Sequence, residues 1–307
     1  MYESPLEEHR TLGKQIGVEL LVKRDDLLPF PLAGNKVRKI SAEIGSAPLN
    51  TDIFITTGAI ASNHCRTLAF MAASQGLKAH LVLHGNASDP HAALSRRLCR
   101  ALGATLDVGE ASSIASRIEE AVRRAGQDGL RSHVIPGGCH TVAAVSAYSD
   151  AAAAVLQQRP DIEVVILASG TGATQAGIID GTGRANGGPR VIGISVARKA
   201  AAGISAISEA LSWVRPERRA EIEFRDNYLD GGYGVCGSAT TEAVKVGWRH
   251  GLPLDATYTG KAFRGMRDLV RSGVIPESSL VLFWHTGGLW SQIEHWNDRI
   301  RALPMSF

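Results

Sequence analysis

The chain reads as an α/β protein of two open, twisted parallel-sheet lobes, and three observations predict this. Short β-branched or apolar runs alternate with segments of helical spacing along most of the chain, the pattern of a parallel sheet with helices on its faces. The run 162–168 is almost continuously apolar, as a central parallel strand buried on both faces must be. The length, 307 residues, is enough for two lobes, because single cores stop growing near ~250–300 residues.

The first element is the apolar run 18–22, a buried strand. It turns acidic at Asp25 and Asp26, passes Pro29 and Pro31, and reaches the turn signal Gly34-Asn35. Lys36 then opens a segment whose Val37, Ile40 and Ile44 keep helical spacing. A β-branched run at 52–57 is a strand, Ser62-Asn63 begins an alanine-rich helix over 67–75, and Gly76 closes it. Strands at 79–83, 105–108 and 133–135 alternate with helices at 92–102 and 112–124. A long helix follows over 141–158, with an alanine run at 151–154 suited to close packing. The second block has strands at 162–168, 191–196 and 280–284 and helices at 200–213 and 240–250. The glycine- and proline-rich loop at 184–190 reads as a surface connection.

Bulk properties exclude some functions. Apolar content of 44% and charged content of 21% describe an ordinary globular protein. The net charge of +3, with no long basic run, argues against a nucleic-acid partner. The four cysteines (Cys65, Cys99, Cys139, Cys236) lie far apart without metal-ligand spacing, and the histidines are equally scattered, so no metal is expected. Reduced thiols, the lack of a basic-then-apolar start and the lack of a bilayer-length apolar stretch point to a cytoplasmic protein with no membrane partner.

The strongest chemical signal is the loop Ser169, Gly170, Thr171, Gly172, Ala173, Thr174, which leaves a buried strand and opens a helix. Glycines there let the backbone approach an anion, and the free amides of a helix start point at it. The dinucleotide fingerprint fails because Gln175 stands where the third glycine belongs, and neither Gly13-Lys14 nor Gly260-Lys261 is followed by Ser or Thr as a P-loop requires. An isolated phosphate fits better. Lys36, beside a glycine at the mouth of a helix, sits where the dipole disfavours its charge. That placement with some burial yields an amine able to attack a carbonyl, although a solvated basic cluster (Lys36, Arg38, Lys39) would look the same. Ser62 and Asn63 at a helix start are an ordinary cap or a seat for a carboxylate. Tyr233 and Tyr258 each lie in a glycine-flanked loop, where a hydroxyl can hold a carboxylate or relay a proton.

Five separated stretches agree in order with one known pattern. Lys23-Arg24-Asp25-Asp26-Leu27 with 34–39, the segment 57–66, the loop 169–174, the tyrosine segments around Tyr233 and 255–261, and His285-Thr286-Gly287-Gly288 resemble the fold-type-II pyridoxal-phosphate (PLP) family that holds D-cysteine desulfhydrase and 1-aminocyclopropane-1-carboxylate (ACC) deaminase. The resemblance covers the chain nearly end to end. It implies a large domain of 1–40 plus 146–307, a small inserted domain of 41–145 with the cofactor between them, and a homodimer. It places the Schiff-base lysine on Lys36 and the cofactor phosphate on 169–174. Asn63 then bonds the pyridine hydroxyl oxygen, and Tyr258, Thr259 and Thr286 border the ring. Ser62, Asn63, His64 and Tyr233 meet a small amino-acid substrate, with Lys36, Ser62, Tyr233 and Tyr258 as the catalytic set.

Three departures stand out: Ala33 replaces the first glycine of the lysine motif, Ala61 replaces a glutamine and so removes a donor beside the substrate, and Ala256 replaces a proline. ACC-deaminase-like members carry glutamate after the second tyrosine and leucine in the H-x-G-G motif, whereas desulfhydrase-like members have threonine at both. Thr259 and Thr286 therefore favour β-elimination from a small amino acid, giving a 2-oxo acid and ammonia, over ring opening. An L-cysteate sulfo-lyase, an ACC deaminase, a β-replacement enzyme and a non-catalytic PLP-binding homologue stand as alternatives.

Overall fold

The computed structural model describes residues 2–29, 34–183, 188–215 and 221–293. Pro31, Ala33 and most of the 184–190 loop lie outside them. In chain order the elements are β1 (Leu6–Glu8), α1 (Arg10–Ile16), β2 (Glu19–Arg24), α2 (Asn35–Ser46), β3 (Ile53–Ala59), α3 (Asn63–Ser74), β4 (Lys78–His84), α4 (Ala93–Ala101), β5 (Thr105–Gly109), α5 (Ile114–Gln127) and β6 (Ser132–Ile135). There follow α6 (Val142–Gln158), β7 (Val164–Ser169), α7 (Ala173–Thr182), β8 (Arg190–Ser195), α8 (Ala200–Ser212), β9 (Glu223–Arg225), α9 (Ser238–Arg249), α10 (Thr259–Arg271) and β10 (Leu280–His285). The chain divides into two compact units, one of residues 1–39 with 140–289 and one of residues 40–139 with 290 onward.

The first unit is built on a six-stranded sheet in the order β1-β2-β10-β7-β8-β9. Every pairing is parallel except β1 with β2. The central strands β7 and β10 are buried at every position, because helices cover both faces. One face packs Val22, Ile166, Ile194 and Phe283 against Phe263 and Met266 of α10 and Leu12 of α1. The other packs Leu21, Leu167 and Trp284 against Tyr148 of α6, Ala173 of α7 and Ile207 of α8. Here α6 and α7 come unusually close: a Cβ on Gly177 would meet Tyr148 Cβ at 2.5 Å, and one on Gly181 would meet Ala152 Cβ at 2.8 Å. Ala152 belongs to the alanine run that predicts such packing. The second unit is a fully parallel four-stranded sheet, β5-β4-β3-β6, with Ile53, Ile55 and Val82 packed on Ala121 and Ala125 of α5.

Five features were not expected from the sequence. β1, β9 and α1 are short, β1 is an antiparallel edge on an otherwise parallel sheet, and the segment after Tyr258, expected as a loop, is the thirteen-residue helix α10. The fifth is Trp290, which returns to the second unit.

Candidate active site

In open α/β sheets ligands bind beyond the carboxyl ends of the strands, where the strand order reverses. In the first unit that point lies between β7, whose chain continues outward to β8, and β10 beside it. The loops leaving these two strands are 169–174 and 286–288, two of the predicted stretches.

The loop after β7 supplies neutral donors only. Ser169 is 2% exposed, and its Oγ has no hydrogen-bond partner among the described residues. A buried hydroxyl left so is costly unless something binds it. Gly172 caps α7 at φ +100, and a Cβ there would meet Ile207 Cγ1 at 3.1 Å. The site therefore needs glycine, whose bare backbone leaves the first amides of α7 open to an anion. These donors fit a phosphate.

The helix start that carries Lys36 is tied to both loops. The Asn35 amide donates to the Thr286 carbonyl at 3.0 Å, and Asn35 Nδ2 donates to Thr174 Oγ1 at 3.4 Å. Gly34 lies against Thr286 and Gly287, where a Cβ would meet Gly287 Cα at 2.7 Å. The charged motif preceding it is structural. Asp25, wholly buried, accepts from Ser4 Oγ at 2.7 Å, Arg38 Nη2 at 2.9 Å, Tyr148 Oη at 2.6 Å and Trp284 Nε1 at 2.9 Å. Burial pushes its pKa up, but Arg38's charge and the hydrogen bonds of Arg38, Tyr148 and Trp284 outweigh that and hold it below the ordinary 3.8. Arg38 follows Lys36 by two residues, so this hub fixes the first turn of α2.

His140 feels Lys36 electrostatically. Burial lowers its pKa to about 4, helped by the positive charge of Lys39, Arg198 and Lys36. The ring is therefore neutral, packed edge-on against Trp213 at 4.9 Å.

Thr259 is the first residue of α10, and its hydroxyl is spent within the fold. Oγ1 donates to Asp255 Oδ1 at 2.8 Å and accepts from the Asp255 amide at 2.9 Å. Asp255 also accepts from the amides of Thr257, Tyr258 and Thr259. Burial pushes its pKa up against those bonds. It packs beneath Gly288, where a Cβ would meet Asp255 Cβ at 3.0 Å, so Thr259 and the loop after β10 share one anchor. Tyr258 stands next, and its hydroxyl meets that of Tyr233 across an edge-to-face ring pair at 6.0 Å. The first unit thus brings together Lys36, 169–174, Tyr233, Tyr258, Thr259 and Thr286.

Ser62, Asn63 and His64 belong to the second unit. Ser62 caps α3, accepting from the Cys65 amide at 3.3 Å, and burial pushes the Cys65 thiol up to about 12, leaving it inert. His64, 2% exposed, turns its ring into the sheet: Nε2 lies 2.7 Å from Thr56 Oγ1, which itself donates to the Ile135 carbonyl. Asn63 is set by Arg66, which is 1% exposed. Arg66 Nη2 donates to Asn63 Oδ1, Nη1 donates to Ser95 Oγ at 2.8 Å, and the guanidinium stacks on Trp290 at 4.9 Å. Trp290 Nε1 closes the ring of contacts on Ser95 Oγ at 3.0 Å. A guanidinium only donates, so the oxygen of Asn63 must face it, and the amide NH2 is left to serve an acceptor. Arg66 lies in the segment 57–66, but its role, like those of Ser95, Trp290, Asp255 and Asp25 as anchors, was not expected from the sequence. Only the spacing of Arg66 three residues after Asn63 hinted at contact.

The model of the pyridoxal-phosphate dependent enzyme family matches residues 1–287, and the chain belongs to that family. Its cofactor is pyridoxal phosphate. Among its relatives is a Pyrococcus horikoshii protein named "Putative 1-aminocyclopropane-1-carboxylate deaminase", 30% identical over 98% of this chain and 94% of its own. The crystal structure of an ACC deaminase homologue superposes with a TM-score of 0.84 at 30% identity, covering 99% of this chain and 94% of that one. An L-serine ammonia-lyase from Rhizomucor miehei shares the fold, with a TM-score of 0.73 at 16% identity over 97% of both chains. The chain is a pyridoxal-phosphate dependent enzyme of fold type II.

Proposed function

We propose that the protein eliminates a β-substituent from a small amino acid, with D-cysteine the favoured substrate: cysteine and water give sulfide, ammonia and a 2-oxo acid. One observation carries this over the alternatives. At the position where ACC-deaminase-like members place a glutamate, the group here is Thr259, a neutral hydroxyl whose proton is committed to Asp255.

When bound, the cofactor draws electrons from the substrate's α-carbon and acidifies its hydrogen. Ser169, Thr171, Thr174 and the amides of 170–174 would hold the phosphate, Lys36 Nζ the aldehyde carbon, and Asn63 Nδ2 the ring oxygen. Thr259 and Thr286 would border the ring, and a neutral hydroxyl at its nitrogen would leave the ring a milder electron sink, adequate when the leaving group is good and poor for opening a cyclopropane. Lys36 Nζ accepts the α-proton. Tyr258 and Tyr233, hydroxyl to hydroxyl, can pass a proton to the departing sulfur at the Tyr233 end, which is 52% exposed. Ser62 and Asn63 seat the substrate carboxylate, and His64 acts through the place its bond to Thr56 gives them.

The relatives' name favours a second reading, deamination of 1-aminocyclopropane-1-carboxylate. One assay decides between them: PLP-loaded protein is given D-cysteine, L-cysteate or the cyclopropane amino acid, and 2-oxo acid, sulfide and sulfite are measured. Sulfide with 2-oxo acid from D-cysteine is the expected result. 2-Oxo acid from the cyclopropane substrate alone would overturn the proposal, and full turnover by Lys36→Ala would overturn the assignment of the lysine.

A further inference from the structure

The loop that carries Tyr233 is gripped by one helix, α10. Asp230, Gly231, Gly232 and Gly234 have φ of +54, +101, +151 and +76, a run of left-handed backbone that ordinary residues avoid. Such a loop keeps one shape only if its surroundings impose it. Two basic side chains of α10 do so. Lys261, 0% exposed, donates from Nζ to the Leu229 carbonyl at 2.8 Å and to the Gly232 carbonyl at 2.8 Å. One turn further on, Arg264 Nη1 pairs with Asp230 Oδ1 at 2.6 Å and packs over the Tyr228 ring at 5.4 Å. Asp230 completes the grip by accepting from the Gly237 amide at 3.0 Å. Tyr258 is the N-terminal cap of the same helix. One rigid body therefore carries the second tyrosine at its cap and fixes the loop of the first tyrosine from its first two turns.

We infer that Lys261 is a positioning residue for the reaction: its ammonium, bridging two carbonyls that flank Asp230 and Gly231, sets the Tyr233 hydroxyl against that of Tyr258. A buried ammonium needs such partners, and both lie on this loop. A lysine serving stability alone could have found them anywhere on the adjoining helices. The effect on turnover rests on the proposed role of Tyr233; the clamp itself does not.

Lys261→Met keeps the apolar stem and deletes both bonds. In the cofactor-loaded protein we expect the visible absorption of the bound cofactor to be unchanged and amide exchange across 229–237 to quicken about tenfold, the scale of hydrogen bonds made by a charged group. Turnover should fall by about the same factor, and Lys261→Met added to Tyr233→Phe should cost nothing beyond Tyr233→Phe, as expected of coupled residues. Unchanged exchange in the loop, or an equal further loss on the Tyr233→Phe background, would overturn the inference. Should Lys261→Met fail to fold, Arg264→Gln releases Asp230 from the same loop and is held to the same two tests. A Tyr233→Phe enzyme as fast as wild type would overturn the proposed role of that tyrosine and the consequence for turnover, while loop exchange still decides the clamp.

Discussion

Arg66 takes the oxygen of Asn63 and leaves its amide NH2 to serve an acceptor. This makes an isosteric test possible. Asn63→Asp keeps an oxygen on Arg66 but replaces the amide donor with an acceptor, so unfolding should be nearly unaffected while turnover drops at least tenfold, the worth of one buried hydrogen bond to a charged atom. Equal losses in stability and turnover would mean that Asn63 only holds the fold. His140 gives a second residue-level expectation. Its ring should stay neutral down to pH near 4, read from its imidazole proton resonance; a midpoint near 6.5 would show that neither burial nor the nearby cations lower it. The residues proposed to do chemistry were picked out by motif and glycine placement. Those that aim them were not, because Arg66, Ser95 and Trp290 meet only in the folded chain.

Among the elements, strands were read well because a doubly covered parallel strand has little choice but a run of apolar residues. α10 was not, since Gly260 made the segment around Tyr258 read as a glycine-flanked loop; Gly265 lies further along the same helix. In the fold they are contact points: a Cβ on Gly260 would meet Val244 at 2.5 Å, and one on Gly265 would meet Ile194 at 2.7 Å. Glycine there serves packing, and a single sequence cannot distinguish that from a loop. The α6–α7 contact follows the same logic and can be tested by contrast. Gly177→Ala should cost at least ~1–3 kcal/mol through overpacking against Tyr148. Gly45→Ala, in open space near the end of α2, should stabilise by ~0.5–1 kcal/mol. Urea midpoints of the two variants check both signs.

For the molecule as a whole, Asp25 couples stability to acidity. Its folded pKa lies below the ordinary 3.8, so the unfolded chain binds the proton first on acidification. The stabilisation is complete above 3.8 and lost as pH falls through the lower folded value. Asp25→Asn should lose about 3–5 kcal/mol at neutral pH, since it strands a buried guanidinium, and should lack the wild-type decline that sets in below pH 3.8. A parallel decline in both proteins would remove Asp25 from the account. Cofactor binding adds a separate contribution, about 2.7 kcal/mol at a concentration a hundredfold above Kd.

The return of the chain at Trp290 has a consequence for modularity. The smaller unit is not a cassette that could be lifted out as residues 40–139: the indole under Arg66 and one of the donors to Ser95 arrive only after β10 has been made. During synthesis the setting of Asn63 is therefore among the last parts completed. A ribosome-stalled chain ending at 289 would carry every motif recognised in the sequence, yet it would lack the ring on which Arg66 rests.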